Sequence, residues 1–272
     1  AFAAATSIKY NNGTVSGQMG YSVVGTDFQA DVGFIKRTGF HRFGPHLEYK
    51  FYPNKGKILN HGPTFKFDNV FDEDFKPMDR ELELKYIINY IDRSKLSAEL
   101  ERGFVKLLEP FDPTNTGGDT LASGSAYNWN EFSMKYESDA RKTLNFTSNI
   151  RHGGYYNGNK FSLNGTINYR VQPYVNLSIS TTYDKIDLPK PFKSMAFLLI
   201  GPRLDLTFTN KLFLTTFVQF NDQANNVNLN FRFQWRFAPV SDLFIVYTNN
   251  AYPADFRTKD KALVAKISYW FN

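Results

Sequence analysis

The sequence predicts an all-β chain, and more narrowly a transmembrane antiparallel up-and-down β-barrel of about 16 strands, within a range of about 14–16. Three observations carry this. The stretch Asn225–Phe237 alternates strictly: Val227, Leu229, Phe231, Phe233 and Trp235 share one face, and Asn228, Asn230, Arg232, Gln234 and Arg236 share the other. It is about twice as long as an ordinary globular strand and close to the roughly 9–11 residues a tilted strand needs to cross a bilayer. The composition agrees, with 42% hydrophobic residues but 17% aromatic, including 27 Phe and 16 Tyr. That pairing suits strands with one face in hydrocarbon and one in water. Finally, very short turns alternate along the chain with longer links, the asymmetry of an outer-membrane barrel.

Taken in order, Thr6–Tyr10 reads as the end of a strand before the hairpin signal Asn11-Asn12-Gly13. Thr14–Val23 and Asp27–Arg37 both alternate and are predicted as strands joined by Gly25-Thr26. Pro45–Tyr52 and Thr64–Phe71 follow, separated by a Pro-Asn-Lys-Gly turn. Arg80–Ile91 and Lys95–Gly103 flank Asp92-Arg93-Ser94, and Leu107–Tyr127, rich in Gly, Pro, Thr and Ser, reads as a surface loop. Asn130–Glu137, Thr143–Arg151 and Lys160–Arg170 come next. The last third is the most regular, with strands predicted over Tyr174–Asp184, Ala196–Phe208, Lys211–Phe220, Asn225–Phe237, Asp242–Tyr247 and Lys261–Phe271. Closure of such a barrel requires the last of these to pair with a strand within about the first 25 residues.

The longest uninterrupted apolar run, Met195–Ile200, is far below the ~20 residues of a transmembrane helix. The net charge of +6 is not gathered into a stripe, so nucleic acid is not an expected partner. Lipid phosphate and a charged interior account for the basic residues, and the expected partners are outer-membrane lipid and lipopolysaccharide, with other envelope proteins beside them. The chain has no cysteine. It opens AFAAATS, without a basic n-region and an apolar h-region. The expectation is a removed signal peptide or the C-terminal part of a larger protein, with residues 1–272 a single barrel domain.

The C-terminal segment alternates Leu263, Ala265, Ile267, Tyr269 and Phe271 with Val264, Lys266, Ser268 and Trp270, and so resembles the terminal strand of bacterial outer-membrane proteins, although Asn272 follows the last aromatic. Together with Val32–Pro53, Leu107–Trp129 and above all Leu212–Asn250, it resembles the C-terminal barrel region of an uncharacterised family of Bacteroidetes outer-membrane proteins. The resemblance implies a barrel of unknown function. Full members carry an N-terminal domain similar to family-9 carbohydrate-binding modules, which this sequence lacks.

Strand alternation assigns a set of lumen-facing charges: Glu48, Lys50, Glu81, Glu83, Lys85, Glu99, Glu101, Arg170, Arg203, Arg232, Arg236 and Lys266. The lipid-facing set is Val227, Leu229, Phe231, Phe233, Trp235, Tyr269 and Phe271. Pairing of Arg80–Ile91 with Lys95–Gly103 brings Glu81 and Glu83 beside Glu99 and Glu101, below a turn carrying Asp72, Glu73, Asp74 and Asp79. Lys76, Arg80, Lys85 and Arg102 are expected to offset these acids. A solvated acidic rim is one reading, and a Ca²⁺ ion on Glu81, Glu83, Glu99 and Glu101 is another.

His41 and His46 are five apart, on opposite faces of a strand, so no metal pair is expected. Ser148 and His152 share a face, but no third residue or oxyanion hole accompanies them, and neither an enzyme nor a cofactor is expected. Three functional readings remain, in this order: a membrane anchor or subunit of a larger envelope assembly, a porin-like channel for small polar solutes, and last an outer-membrane hydrolase.

Overall fold

In the computed structural model, which describes residues 2–30 and 37–271, fifteen strands form one antiparallel sheet whose order follows the chain. They are β1 (Ala3–Asn11), β2 (Val15–Val24), β3 (Phe40–Tyr49), β4 (Ile58–Phe71), β5 (Pro77–Tyr90), β6 (Lys95–Lys106), β7 (Ala126–Glu137), β8 (Leu144–Tyr155), β9 (Gly158–Val171), β10 (Val175–Asp187), β11 (Met195–Thr209), β12 (Leu212–Asn221), β13 (Asn226–Ala238), β14 (Ser241–Ala251) and β15 (Thr258–Ser268). No helix among the described residues is long and apolar enough to cross a membrane, which says nothing of crossing by strands.

Two expectations are corrected. First, the strand predicted over Asp27–Arg37 is absent from its described part. Asp27 lies in a turn and Phe28–Ala30 have no strand pairing, while 31–36 lie outside the described residues. Alternation alone could not distinguish a paired strand from an extended connection. The chain instead starts β3 at Phe40, five residues before the predicted Pro45. Second, Lys261–Phe271 does not close on the N-terminal strands among the described residues: β15 pairs only with β14, and β1 only with β2, so the sheet is open. The ladder also stops at Ser268, opposite Asp242. The next outward-reaching amide, Trp270 N–H, donates to the Ser241 hydroxyl at 3.1 Å, which leaves Tyr269 and Phe271 beyond the last strand.

Short turns are built by side-chain acceptors where the backbone doubles back. Asn12 Oδ1 accepts from the N–H of Thr14 and Val15 while Gly13 takes φ +87°, a conformation open to glycine. Asp92 accepts from both the N–H and the hydroxyl of Ser94, and Asp72 from the N–H of Asp74 and Lys76. Connections after even-numbered strands include the longest, 25–39 and 107–125, whereas 210–211 and 239–240 follow odd-numbered ones.

The chain divides into two compact units. The first is Ala1–Tyr136 with Ile150–Phe161 and Ile186–Met195; the second is Glu137–Asn149 with Ser162–Lys185 and Ala196–Asn272. Within each, the register gives the sheet an apolar and a polar face. In the first unit, Phe65 stands opposite Leu84 and Leu84 opposite Leu100, while Lys66 stands opposite Glu83 and Lys85 opposite Glu99. In the second, Phe231 stands opposite Thr216 and Tyr247, and Phe233 opposite Leu214 and Ile245. Val227, Leu229 and Trp235 share that face. The apolar faces are bare: Leu84 is 52% exposed, Leu100 60% and Leu263 71%.

Candidate functional site

The polar face of the first unit is a ladder of opposite charges, built by the strand register. Because Lys66 on β4 faces Glu83 on β5, its ammonium reaches Glu83 and, at 3.2 Å, Glu81. One position along β5, on alternate residues, Lys85 meets Glu99 of β6 at 2.7 Å. Arg151 of β8 holds Glu131 of β7 at 2.5 Å and Glu101 of β6 at 3.4 Å. Arg42 forks onto both oxygens of Asp68, and Arg37 meets Asp79 at 2.5 Å. Nearer the other strand ends, Glu48 accepts from the Ser16 hydroxyl and pairs with Lys50 at 3.3 Å.

This arrangement changes the expected charge balance. Lys85 and Lys76 do offset the acids, the second by pairing with Asp74 in the turn, but Arg80 and Arg102 project from the apolar face, opposite Phe104 and Leu82 respectively. The other countercharges are Lys66, Arg151 and Arg37, the last two supplied by a strand and a link distant in sequence. No group of three metal-ligating side chains is found among the described residues, and ammonium or guanidinium groups already hold Glu81, Glu83, Glu99 and Glu101.

In the second unit, Asp205 is held by Arg203 at 3.0 Å and by the Thr215 hydroxyl at 2.8 Å. Asp242 accepts from Arg236 and Gln234. Arg170 donates to the Ala140 carbonyl at 2.9 Å. Arg232 stands between Thr215 and Val246, and Lys266 opposite Phe244.

An aromatic cluster at the β8–β9 turn was not anticipated. Tyr156, at φ +50°, touches the rings of Phe111, Tyr127, Trp129 and Tyr155, with centroids 4.8–5.7 Å apart. Burial, and secondarily the negative charge of Asp79, pushes its phenol above the usual range. Trp129 lies flat on Gly103, where a Cβ would sit 2.3 Å from the indole, so only glycine admits the ring. Beside it a cavity of about 250 Å³ is lined by Asp68, Asp79, Glu81, Glu101, Trp129 and Tyr156.

The 107–125 connection is anchored to this cluster. Phe111 and Leu121 exchange backbone hydrogen bonds, Leu121 is 1% exposed, and the Tyr155 hydroxyl donates to the Pro113 carbonyl. Asp112 accepts from the Thr114 hydroxyl and from the N–H groups of Thr114, Thr116 and Gly117. Desolvation opposes the effect, but these donors hold its carboxyl far below the usual range. The predicted surface loop is thus an ordered structure, and its D-P-T-N-T-G-G run was the available signal.

The histidines fall as their spacing requires. His41 accepts or donates at Nδ1 to the Tyr21 hydroxyl (2.7 Å) and stacks on Phe75, while His46 stands opposite Gln18 and Lys66 on the polar face. His61, not singled out by sequence, bonds the Tyr86 hydroxyl at 2.6 Å. His152 meets the Phe161 ring, and four residues of extended strand, roughly 13 Å, separate its backbone from Ser148. That spacing assembles no triad.

A family model described as a domain of unknown function (DUF5916) matches residues 1–219. No curated protein matches the chain. One solved structure, described as "Asymmetric conductivity of engineered proteins", is similar over 97% of this chain and 98% of that one, at 8% identity and a TM-score of 0.28.

Proposed function

We propose that this chain, which belongs to the DUF5916 family, works as a membrane-embedded β-barrel of a bacterial outer membrane, as an anchor or a subunit of a larger envelope assembly. The observation that carries this is the bare apolar face. Long strands of up to 15 residues present Leu, Ile, Phe and Tyr on a face that no layer covers among the described residues. An apolar surface that continuous is not stable in water, and hydrocarbon is the solvent that removes the cost. On this reading the apolar residues, including Val227, Leu229, Phe231, Phe233 and Trp235, meet lipid, and the polar face lines the interior. A barrel further requires both free edges of the sheet to be paired.

The anchor role is favoured by the pairing on the polar face. Lys66, Lys85, Arg42 and Arg151 are each engaged by carboxylates, so the ladder staples neighbouring strands together and fills space with side chains. A carrier for a soluble module fits the same role. The channel reading is favoured by a trough of about 390 Å³ on the same face, floored by Gly20 opposite Gly44 and flanked by Gln18, His46 and Lys66.

Two measurements test the proposal. Incorporation of the purified protein into phosphatidylcholine vesicles should protect its strands from added protease, and full digestion would sink the membrane reading. Planar-bilayer recording then separates the roles: silence is expected for an anchor, and stable large conductance steps would replace it with the channel.

A further inference from the structure

Three cations stand out because they are on the wrong face. Arg80 of β5 and Arg102 and Lys106 of β6 all project from the apolar side of the sheet, on the same parity as Leu82, Leu84 and Leu100. Arg80 is directly opposite Phe104, so Arg102 and Lys106, two residues either side of Phe104, are its diagonal neighbours across the ladder. Such neighbours lie about 7–8 Å apart at the backbone, within joint reach of one small anion for side chains this long. All three are exposed, and among the described residues none has a carboxylate partner. The polar face behaves oppositely, with Lys66, Lys85 and Arg151 each paired.

Arg80 is also fixed in place. Its Nε donates to Asn69 Oδ1 at 3.0 Å, Asn69 is only 3% exposed, and the guanidinium carbon lies 5.9 Å from the Phe104 ring centroid. Its two terminal nitrogens have no protein acceptor among the described residues. A guanidinium oriented in this way and left without a counterion is preorganised for a tetrahedral oxyanion, which accepts from such a fork. The acids of the nearby 72–76 turn do not serve: Asp72 accepts from its own turn, Asp74 holds Lys76, and Glu73 accepts from the Thr26 N–H.

The height of the cluster along the strands identifies the anion. Leu82, Leu84 and Tyr86 continue the apolar stripe on one side of it, and the β4–β5 turn begins on the other, so the cluster occupies the boundary between hydrocarbon and water if the membrane reading holds. We propose that Arg80, Arg102 and Lys106 form a receptor for the phosphate group of a membrane lipid, with the acyl chains lying along the apolar stripe of β5 and β6. The inference rests on the membrane reading, and adds to it a specific lipid contact on two strands.

The test uses the full chain in an uncharged detergent, with bound lipid counted by native mass spectrometry. The probes are phosphatidic acid, diacylglycerol with the same acyl chains, and inorganic phosphate. The wild type is expected to prefer phosphatidic acid to diacylglycerol, and R80Q/R102Q/K106Q to lose on the order of fivefold of that preference for each charge removed. The charge-preserving R102K/K106R should keep it. Equal preference in the wild type and the triple neutral variant overturns the proposal. So does a wild type with no preference, which decides the matter even if the neutral variant fails to fold. Displacement of phosphatidic acid by equimolar inorganic phosphate would also overturn it, by making the site one for free anions. Protein that enters phosphatidylcholine vesicles yet shows no phosphate preference fails this inference alone. Protein that does not enter them fails the membrane reading as well.

Discussion

Glu83 and Glu101 stand directly opposite each other across the β5–β6 ladder, two carboxylates in the position where like charges destabilise a strand pair. Each escapes sideways to a cation on a different strand, Glu83 to Lys66 of β4 and Glu101 to Arg151 of β8. The two neighbours are thus tolerated because four strands share the compensation.

Removing one cation should expose that repulsion. Lys66→Met is expected to lower stability by about 1 kcal/mol, near the top of the range for partly exposed pairs, since it frees Glu81 and Glu83 together. Adding Glu83→Gln to Lys66→Met should restore most of the loss. Urea unfolding of the two single variants and the double variant checks this, and strictly additive effects would contradict the shared network.

The two faces of β13 should respond unequally. Phe231→Arg is expected to cost on the order of 2–4 kcal/mol if the position lies near a bilayer midplane. Arg232→Leu, beside Thr215 and Val246, should cost far less. Reversible unfolding from lipid vesicles measures both, and equal costs would count against the assignment of faces.

Gly103 cannot take a methyl group without moving the indole of Trp129. Gly103→Ala should destabilise by about 1–3 kcal/mol as an overpacked site. Trp129→Leu in the same chain should relieve part of that. A shift in tryptophan emission on Gly103→Ala, absent for an alanine placed at Gly20, where nothing lies within 4 Å, would locate the strain.

The Asp112 turn should loosen in acid. Its folded carboxyl titrates below the unfolded one, which lies near 4, so its contribution is complete above about pH 4 and is lost as pH falls through the lower folded value. Amide exchange in 107–125 should accelerate over that fall in pH relative to the turn at Asn12, whose side chain does not titrate. Asp112→Asn should bring the fast exchange up to neutral pH and abolish the pH dependence.

Much of the sheet was legible because period-two alternation is local: the faces of Arg80–Ile91 and Lys95–Gly103, and hence the meeting of Glu83 with Glu101, follow from counting. The bases that answer them were not. Arg151 and Arg37 reach Glu101 and Asp79 from positions 50 and 42 residues away, and no local pattern encodes such a meeting. Nearness in sequence makes Arg80 and Arg102 apparent partners of the acids, although their own parity sets them on the other face. The Tyr156 cluster was missed for the same reason as Arg151, since its rings come from three separate stretches. The predicted strand over Asp27–Arg37 shows the converse error in its described residues 27–30, where alternation occurs without strand pairing.

Among the described residues β1 and β15 each keep one edge without a strand partner, and the two edges have a common polarity. An odd number of strands, each reversing the one before, leaves the first and last running the same way. Direct joining of the two would make a parallel seam, with slanted and evenly spaced hydrogen bonds, in a sheet whose other junctions are antiparallel. A strand added in the antiparallel sense to either edge has the right direction for the other as well. Any strand that joined the two edges would therefore be selected by its orientation, independently of the side chains it carried.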